Sequence, residues 1–313
     1  MNGVKERELI NEIRERNIEK SSGLRKNVLM SEFTTFRVGG PARLFFEPED
    51  ENILIEVLKL FKEYDVPFQI IGNGSNILVR DEGFDGAILR IGKSPNEVEV
   101  SENNLNAPAG VLLSYVSKLA LDNGLSGLEF ASGIPGSVGG AVFMNAGAYG
   151  AEVSDIFKSS KILYLSNFKI EKTDKSKMDF SYRHSILENK DSMPTGIVLS
   201  AEFELKFDDK EKISERMKDY NSRRIAKQPL NLPSAGSFFK RPEGNFAAKL
   251  IEDSGLKGLC LGNAAVSEKH AGFIVNRGGA SASDIIMLMN IVRETVYDRF
   301  GVMLEPEVRI IGE

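Results

Sequence analysis

Residues 131–150 read Ala-Ser-Gly-Ile-Pro-Gly-Ser-Val-Gly-Gly-Ala-Val-Phe-Met-Asn-Ala-Gly-Ala-Tyr-Gly, with glycines at 133, 136, 139, 140, 147 and 150 and a proline at 135. So much glycine weakens an ordinary helix or strand. It is favoured where the backbone takes positive φ, or where another chain or a ligand comes so close that a Cβ would collide. Successive exposed amides of this kind form a concave nest that binds an anion without lysine, and a pyrophosphate is the candidate ligand. A mobile loop is the alternative, but Ile134, Val138, Val142, Phe143 and Met144 interleave with the glycines and favour a packed segment.

Outward from this segment, the whole chain sets bounds. Its 313 residues exceed the size at which one core keeps growing, so two or three domains are expected. A net charge of −5 and a pI near 5.4 lack the overall basic excess of nucleic-acid binders, so no nucleic-acid partner is expected. The single cysteine, Cys260, excludes an intramolecular disulfide and a cysteine zinc site, and with only His184 and His270 besides, no metal is expected. The first ten residues, Met-Asn-Gly-Val-Lys-Glu-Arg-Glu-Leu-Ile, carry no signal-like apolar run. No window approaches the roughly 18 apolar residues of a membrane span, so a cytoplasmic location is expected.

Leu9, Ile10, Ile13 and Ile18 among charges predict an amphipathic helix over 5–20. A strand over 43–47 stops at Pro48, and Asp50 offers an N-cap to a helix over 51–64. A second strand over 68–71 runs into Gly72-Asn73-Gly74-Ser75-Asn76, another glycine turn. The β-α-β order suits an α/β or α+β lobe. Strands are predicted over 87–91, 98–101, 105–107, 161–165, 168–172 and 197–205, and a helix over 112–122, which places a second lobe over about 81–205. A helix from 208 to 225 ends in Arg223-Arg224-Ile225-Ala226-Lys227, and one over 282–299 has Ser281 as N-cap and Asp284 in a capping box. Residues 304–311 read as a terminal strand.

The common nucleotide fingerprints fail. Gly72-x-Gly74 is followed by Ile77 where a third glycine is needed, and neither glycine stretch ends in Gly-Lys-Ser/Thr. A nucleotide or dinucleotide held on two backbone loops remains. Ser237 lacks the nucleophile elbow, so it is either a turn serine before Phe238-Phe239 or a rigidly held proton donor. Arg183, within Ser181-Tyr182-Arg183-His184-Ser185, is either a solvated charge or a planar fork for a carboxylate or phosphate. Glu305, Glu307 and Arg309 share one face of the terminal strand pattern, which an ordinary charged face explains equally well.

Seven ordered motifs together resemble the UDP-N-acetylenolpyruvoylglucosamine reductase family from about residue 30 to the C-terminus. They are Thr34-Thr35-Phe36-Arg37-Val38-Gly39-Gly40-Pro41-Ala42, Gly72-Asn73-Gly74-Ser75-Asn76, Gly133-Ile134-Pro135-Gly136, Asn145-Ala146-Gly147-Ala148-Tyr149-Gly150, Tyr182-Arg183, Gly236-Ser237-Phe238-Phe239-Lys240 and Pro306-Glu307-Val308-Arg309. The resemblance implies an α+β chain: an FAD-binding fold of the p-cresol methylhydroxylase type over 31–205, in lobes of about 31–80 and 81–205, then an α/β substrate-binding domain over 206–313. Residues 1–30 form an N-terminal helical arm.

The same resemblance implies non-covalent FAD, NADPH as co-substrate, and UDP-N-acetylglucosamine enolpyruvate as the molecule reduced, by a monomer without membrane partners. Hydride passes from NADPH to flavin N5, and then to C3 of the enol ether, while a proton reaches C2. Arg183, Ser237 and Glu307 match the catalytic positions: Ser237 as proton donor, Arg183 on the carboxylate, and Glu307 completing the acid assembly. The motifs assign the cofactor to Thr35, Arg37, Gly39, Gly72, Asn73, Gly74, Ser75, Asn76, Gly133, Ile134, Pro135, Gly136, Gly139, Gly140, Asn145 and Gly147. Tyr182, Arg223, Lys227, Arg241 and Arg309 are assigned to the substrate, with Arg223, Arg224 and Arg309 as candidate diphosphate contacts. The family often has asparagine where Arg241 stands. No tyrosine-bearing insertion occurs between Arg183 and Ser237, which matches the family's shorter form.

Two other readings are a flavin oxidase with a covalent tether and a non-catalytic binder of flavin or nucleotide sugar. His184, His270 and Cys260, the residues able to form such a tether, lie outside the glycine loops.

Overall fold

The Asp50 carboxylate accepts the amides of Asn52 at 2.8 Å and Ile53 at 2.9 Å and opens the helix Glu51–Glu63, as its N-cap position predicts. The computed structural model to which it belongs describes residues 1, 3–92, 97–189 and 193–312. The chain packs into two compact units, each drawn from separated stretches. The first comprises Met1–Arg25, Phe45–Asn73 and Ala87–Arg223, and the second Lys26–Leu44, Gly74–Gly86 and Arg224–Glu313. The sequence divides the chain into consecutive pieces, whereas in three dimensions 31–44 and 74–86 pack with the C-terminal residues and 206–223 with the first unit. The reason is burial. Phe36, Val38 and Leu78 enter one core with Phe238, Val292 and Leu304, while Tyr220 packs on the core of the first unit.

The first unit is built on a five-stranded antiparallel sheet in the order Lys169–Asp174, Phe157–Tyr164, Gly196–Glu204, Asn104–Pro108, Glu99–Ser101. Its core holds Leu105, Ala107, Ile162, Ala201 and Phe203, covered by the helices Leu113–Asp122 and Val138–Phe143. Elsewhere in the unit, Phe68–Ile71 pairs in parallel with 87–90. The helix Gly3–Glu15 stops short of the predicted residue 20 because Asn17 takes a φ of 56°.

The glycine-rich segment is packed, as its interleaved apolar residues predict. It contains a six-residue helix, Val138–Phe143, capped by the Ser137 hydroxyl. Of its six glycines only Gly150 takes positive φ, and the left-handed positions fall instead on Asn145 (44°) and Tyr149 (57°). Close approach explains Gly139 and Gly147: a Cβ on Gly139 would lie 2.9 Å from that of Ala109, and one on Gly147 2.8 Å from that of Glu152.

In the second unit the helix Ala282–Phe300 buries Ile285, Leu288, Val292 and Val296 against a small antiparallel sheet of Cys260–Leu261, Ala264–Val266 and Ile274–Asn276. Its predicted capping box is present, and Gly301 ends it at a φ of 68°. The predicted terminal strand shortens to Arg309–Ile311, which pairs in parallel with Ile77–Val79. Pro306, which has no N–H to give a ladder, makes only a single bridge to Phe239. Among the described residues no helix is long and apolar enough to cross a membrane.

Candidate active site

In the first unit, two glycine loops come together. The Asn73 side-chain amide donates to the Pro135 carbonyl at 2.6 Å. The backbone amides of Asn73, Gly133 and Gly136 find no acceptor among the described residues. Amides left without an acceptor on two hydrogen-bonded loops fit an anionic group such as the pyrophosphate of FAD. The Ile134 amide is turned back to Ala131, and those of Gly139 and Gly140 to Ala109 and Ser137, so these three residues shape the cradle rather than line it with donors.

Arg183 stands beside Gly147 in the structure, 36 residues away along the chain. Residues 181–184 form a tight turn, with the Ser181 amide donating to His184 O at 3.2 Å and the return bond at 3.1 Å. Arg183 takes a φ of 56°, is half-buried, and donates from Nη2 to the Gly147 carbonyl at 3.2 Å. Its guanidinium lies 5.1 Å from the centroid of the exposed Tyr182 ring. Arg223 is exposed and paired with Asp219 at 2.7 Å.

Sequence reasoning missed a brace at the residues that lead into the glycine segment. Arg216 donates to Glu129 at 2.8 Å and to Asp208 at 2.6 Å, and Glu129 also accepts the Gly127 amide and the Ser126 hydroxyl. Burial alone would push the Glu129 carboxyl up, but these hydrogen bonds outweigh it and hold the group below the usual carboxylate range. Tyr149 stacks on Tyr220 with ring centroids 4.7 Å apart.

In the second unit Ser237 follows Gly236, whose φ of 79° turns the exposed serine away from the buried pair Phe238 and Phe239. The loop is fixed on both sides. The Phe238 amide donates to Gly272 O at 2.8 Å, and its carbonyl accepts the Glu307 amide at 2.8 Å. The Lys240 amide donates to Glu305 O, and its ammonium pairs with the Glu305 carboxylate at 2.6 Å. Ser237 and half-buried Glu307 therefore sit on neighbouring, hydrogen-bonded stretches. Asn76 extends the arrangement: its side-chain amide donates to Glu307 O, and its carbonyl accepts the Arg309 amide.

The turn containing Thr35, Arg37 and Gly39 belongs to the same unit. Thr35 donates its hydroxyl to Ser234 O at 2.7 Å and its amide to Gly74 O, while Arg37 is exposed at a φ of 56°. A Cβ on Gly39 would lie 2.9 Å from that of Val79. The amides of Gly74, Ser75 and Asn76 have no acceptor among the described residues. Lys227 ends its helix exposed, Arg241 lies over the Phe246 ring at 4.1 Å, and Arg309 is exposed on its strand.

Three further supports in this unit carried no local sequence signal. Asn276, buried, donates to Phe36 O and accepts the amides of Gly278 and Ala280. Asp81 accepts the amides of Ala282 and Ser283 across some two hundred residues of chain, and a separation of that size is invisible to pattern reading. His270 accepts the Gly272 amide on Nδ1 at 3.2 Å, and burial holds the imidazole below its ordinary pKa.

Comparison with known proteins finds two family matches along the chain. Residues 42–167 match the FAD binding domain family, and residues 228–311 match the C-terminal domain of UDP-N-acetylenolpyruvoylglucosamine reductase. A reductase of that name from Caldicellulosiruptor saccharolyticus is 49% identical over 302 residues, covering 96% of both chains. One from Clostridium novyi is 50% identical over 291 residues, covering 93% of this chain and 92% of its own. The crystal structure of the Thermus caldophilus reductase superposes with a TM-score of 0.78 at 34% identity, over 91% of this chain and 98% of that one.

The fold and its glycine cradle thus define an FAD-dependent oxidoreductase with an FAD-binding fold. More narrowly, the chain belongs to the UDP-N-acetylenolpyruvoylglucosamine reductase family.

Proposed function

We propose that the chain reduces the enolpyruvyl group of UDP-N-acetylglucosamine enolpyruvate with electrons from NADPH, giving UDP-N-acetylmuramate for peptidoglycan synthesis in the cytoplasm. One observation supports the catalytic reading: Phe238 O accepts the Glu307 amide, which joins the stretch that carries Ser237 to the one that carries Glu307. Family membership supplies the substrate class.

FAD is to be held on the amides of Asn73, Gly133 and Gly136, which find no acceptor among the described residues. When bound, it supplies hydride to C3 of the enol ether. Negative charge then gathers at C2 and on the substrate carboxylate, and must be stabilised by groups already in place. Arg183 offers that carboxylate a planar fork whose own geometry is set by its turn. Ser237 gives its proton to C2. A serine hydroxyl is a very weak acid, so it yields only to a centre as basic as this carbanion. Glu307 completes the acid assembly and polarises the donor. Tyr182, Lys227, Arg241, Arg309 and Arg223 bind the nucleotide sugar, Arg223 by exchanging its pairing with Asp219.

The test is spectroscopic. Purified protein should show the visible flavin band, anaerobic NADPH should bleach it, and the enolpyruvyl nucleotide should restore it. Absence of bleaching, or bleaching that the nucleotide fails to reverse, would remove the proposal.

A further inference from the structure

Three side-chain hydrogen bonds tie the turn at 181–185 to alternate residues of 143–147. Ser185 donates its hydroxyl to Phe143 O at 2.6 Å, Asn145 donates from Nδ2 to Ser181 O at 3.1 Å, and Arg183 donates to Gly147 O at 3.2 Å. Asn145 is the middle rung and the one that reaches out from the glycine segment with its own side chain. Its Oδ1 also accepts the Ser154 amide at 2.9 Å.

The residue is 0% exposed. A group with no accessible atom has no surface on which FAD could rest. A buried amide engaged at both ends is instead a structural tie, costly to leave half-satisfied. Asn145 itself takes a φ of 44°, and it holds a turn whose Arg183 takes 56°. Non-glycine residues persist in that region when their surroundings over-determine them, and these three bonds supply the constraint.

We propose that Asn145 is a positioning residue for Arg183, acting through the Ser181 carbonyl and not through the cofactor. The proposal rests on Arg183 binding the substrate carboxylate. Asn145 fixes the turn in register with 143–147, so that the guanidinium bonded to Gly147 O is presented without reorganisation when substrate arrives.

Two variants test it. Asn145→Asp keeps the shape and the acceptor for Ser154 but sets an oxygen against Ser181 O. Asn145→Gly removes both bonds and tolerates the positive φ. Titration of apoprotein with FAD, followed by flavin fluorescence, should give affinities within about twofold of the parent, and NADPH bleaching should keep its rate within the same margin. Reoxidation by the enolpyruvyl nucleotide should slow about 10- to 100-fold, the cost of a misplaced binding group. In an Arg183→Ala background, Asn145→Gly should slow reoxidation by less than about twofold more.

A tenfold or larger loss of FAD affinity, whether from a lost contact or a collapsed fold, overturns the proposal. So does full, independent slowing in the Arg183→Ala background. Parent-like reoxidation by Arg183→Ala alone would instead strike the reading of Arg183, and is seen before any Asn145 variant is made.

Discussion

The side-chain amide of Asn76 donates to the backbone carbonyl of Glu307 at 3.0 Å, and the Asn76 carbonyl accepts the Arg309 amide at the same distance. A glycine turn and the stretch bearing the proposed catalytic carboxylate are thereby one rigid piece, extended by the pairing of Ile77–Val79 with Arg309–Ile311. Replacing Asn76 by Asp puts an acceptor against an acceptor. Asn76→Asp should lose about 1–3 kcal/mol in urea denaturation, the cost of a part-buried carbonyl left unpaired. It should also slow flavin reoxidation by substrate more than flavin reduction by NADPH, and equal slowing of both would speak against the link to Glu307.

Ser237→Ala separates the two half-reactions. The hydroxyl is exposed and makes no contact that the core needs, so the fold should survive. Stopped-flow bleaching by NADPH should stay close to the parent rate, while reoxidation falls by at least about 100-fold, the lower range for a lost general acid. Unaltered reoxidation would assign the proton to another group.

Arg183→Lys keeps the charge but loses the fork. Lysine cannot at once donate to Gly147 O and grip both carboxylate oxygens, so the KM for the enolpyruvyl nucleotide should rise and turnover should drop by about tenfold or more. Parent-like steady-state kinetics would remove Arg183 from the site.

Asp81 offers a test by pH. Burial pushes its carboxyl up, but the Ser283 hydroxyl and the amides of Ala282 and Ser283 outweigh this and hold it below the usual range. A carboxylate with a depressed folded pKa stabilises the fold at pH values above its unfolded pKa of about 3.9, and that contribution is lost as pH falls toward the folded value. Asp81→Ala should therefore cost about 0.5–2 kcal/mol at neutral pH, typical of a lost helix cap. The gap between variant and parent in urea denaturation should close below about pH 4; a gap that persists there would mean the carboxylate charge is not what holds the helix.

Much of this was legible in the residues themselves. Asp50, Ser281, Asp284 and Gly301 mark their helix ends because caps act over three or four residues, within reach of pattern reading. The strand over 68–71 and the glycine turns were equally local. What sequence hid was long-range: Asp81 capping a helix from another stretch, Asn276 reaching Phe36, and Asn145 serving Ser181 where its motif suggested a cofactor contact. Of the two reasons the glycine segment offers for its composition, close packing accounts for Gly139 and Gly147 and positive φ for Gly150, and a short helix forms among them.

The interleaved make-up of the two units has a consequence for synthesis. The unit carrying Ser237 and Glu307 takes its parts from residues 26–44, 74–86 and 224–313, and one of its strand pairs joins 77–79 to 309–311. On the ribosome, segments made early must wait, exposed or chaperoned, for partners translated more than two hundred residues later, so this half of the enzyme closes last.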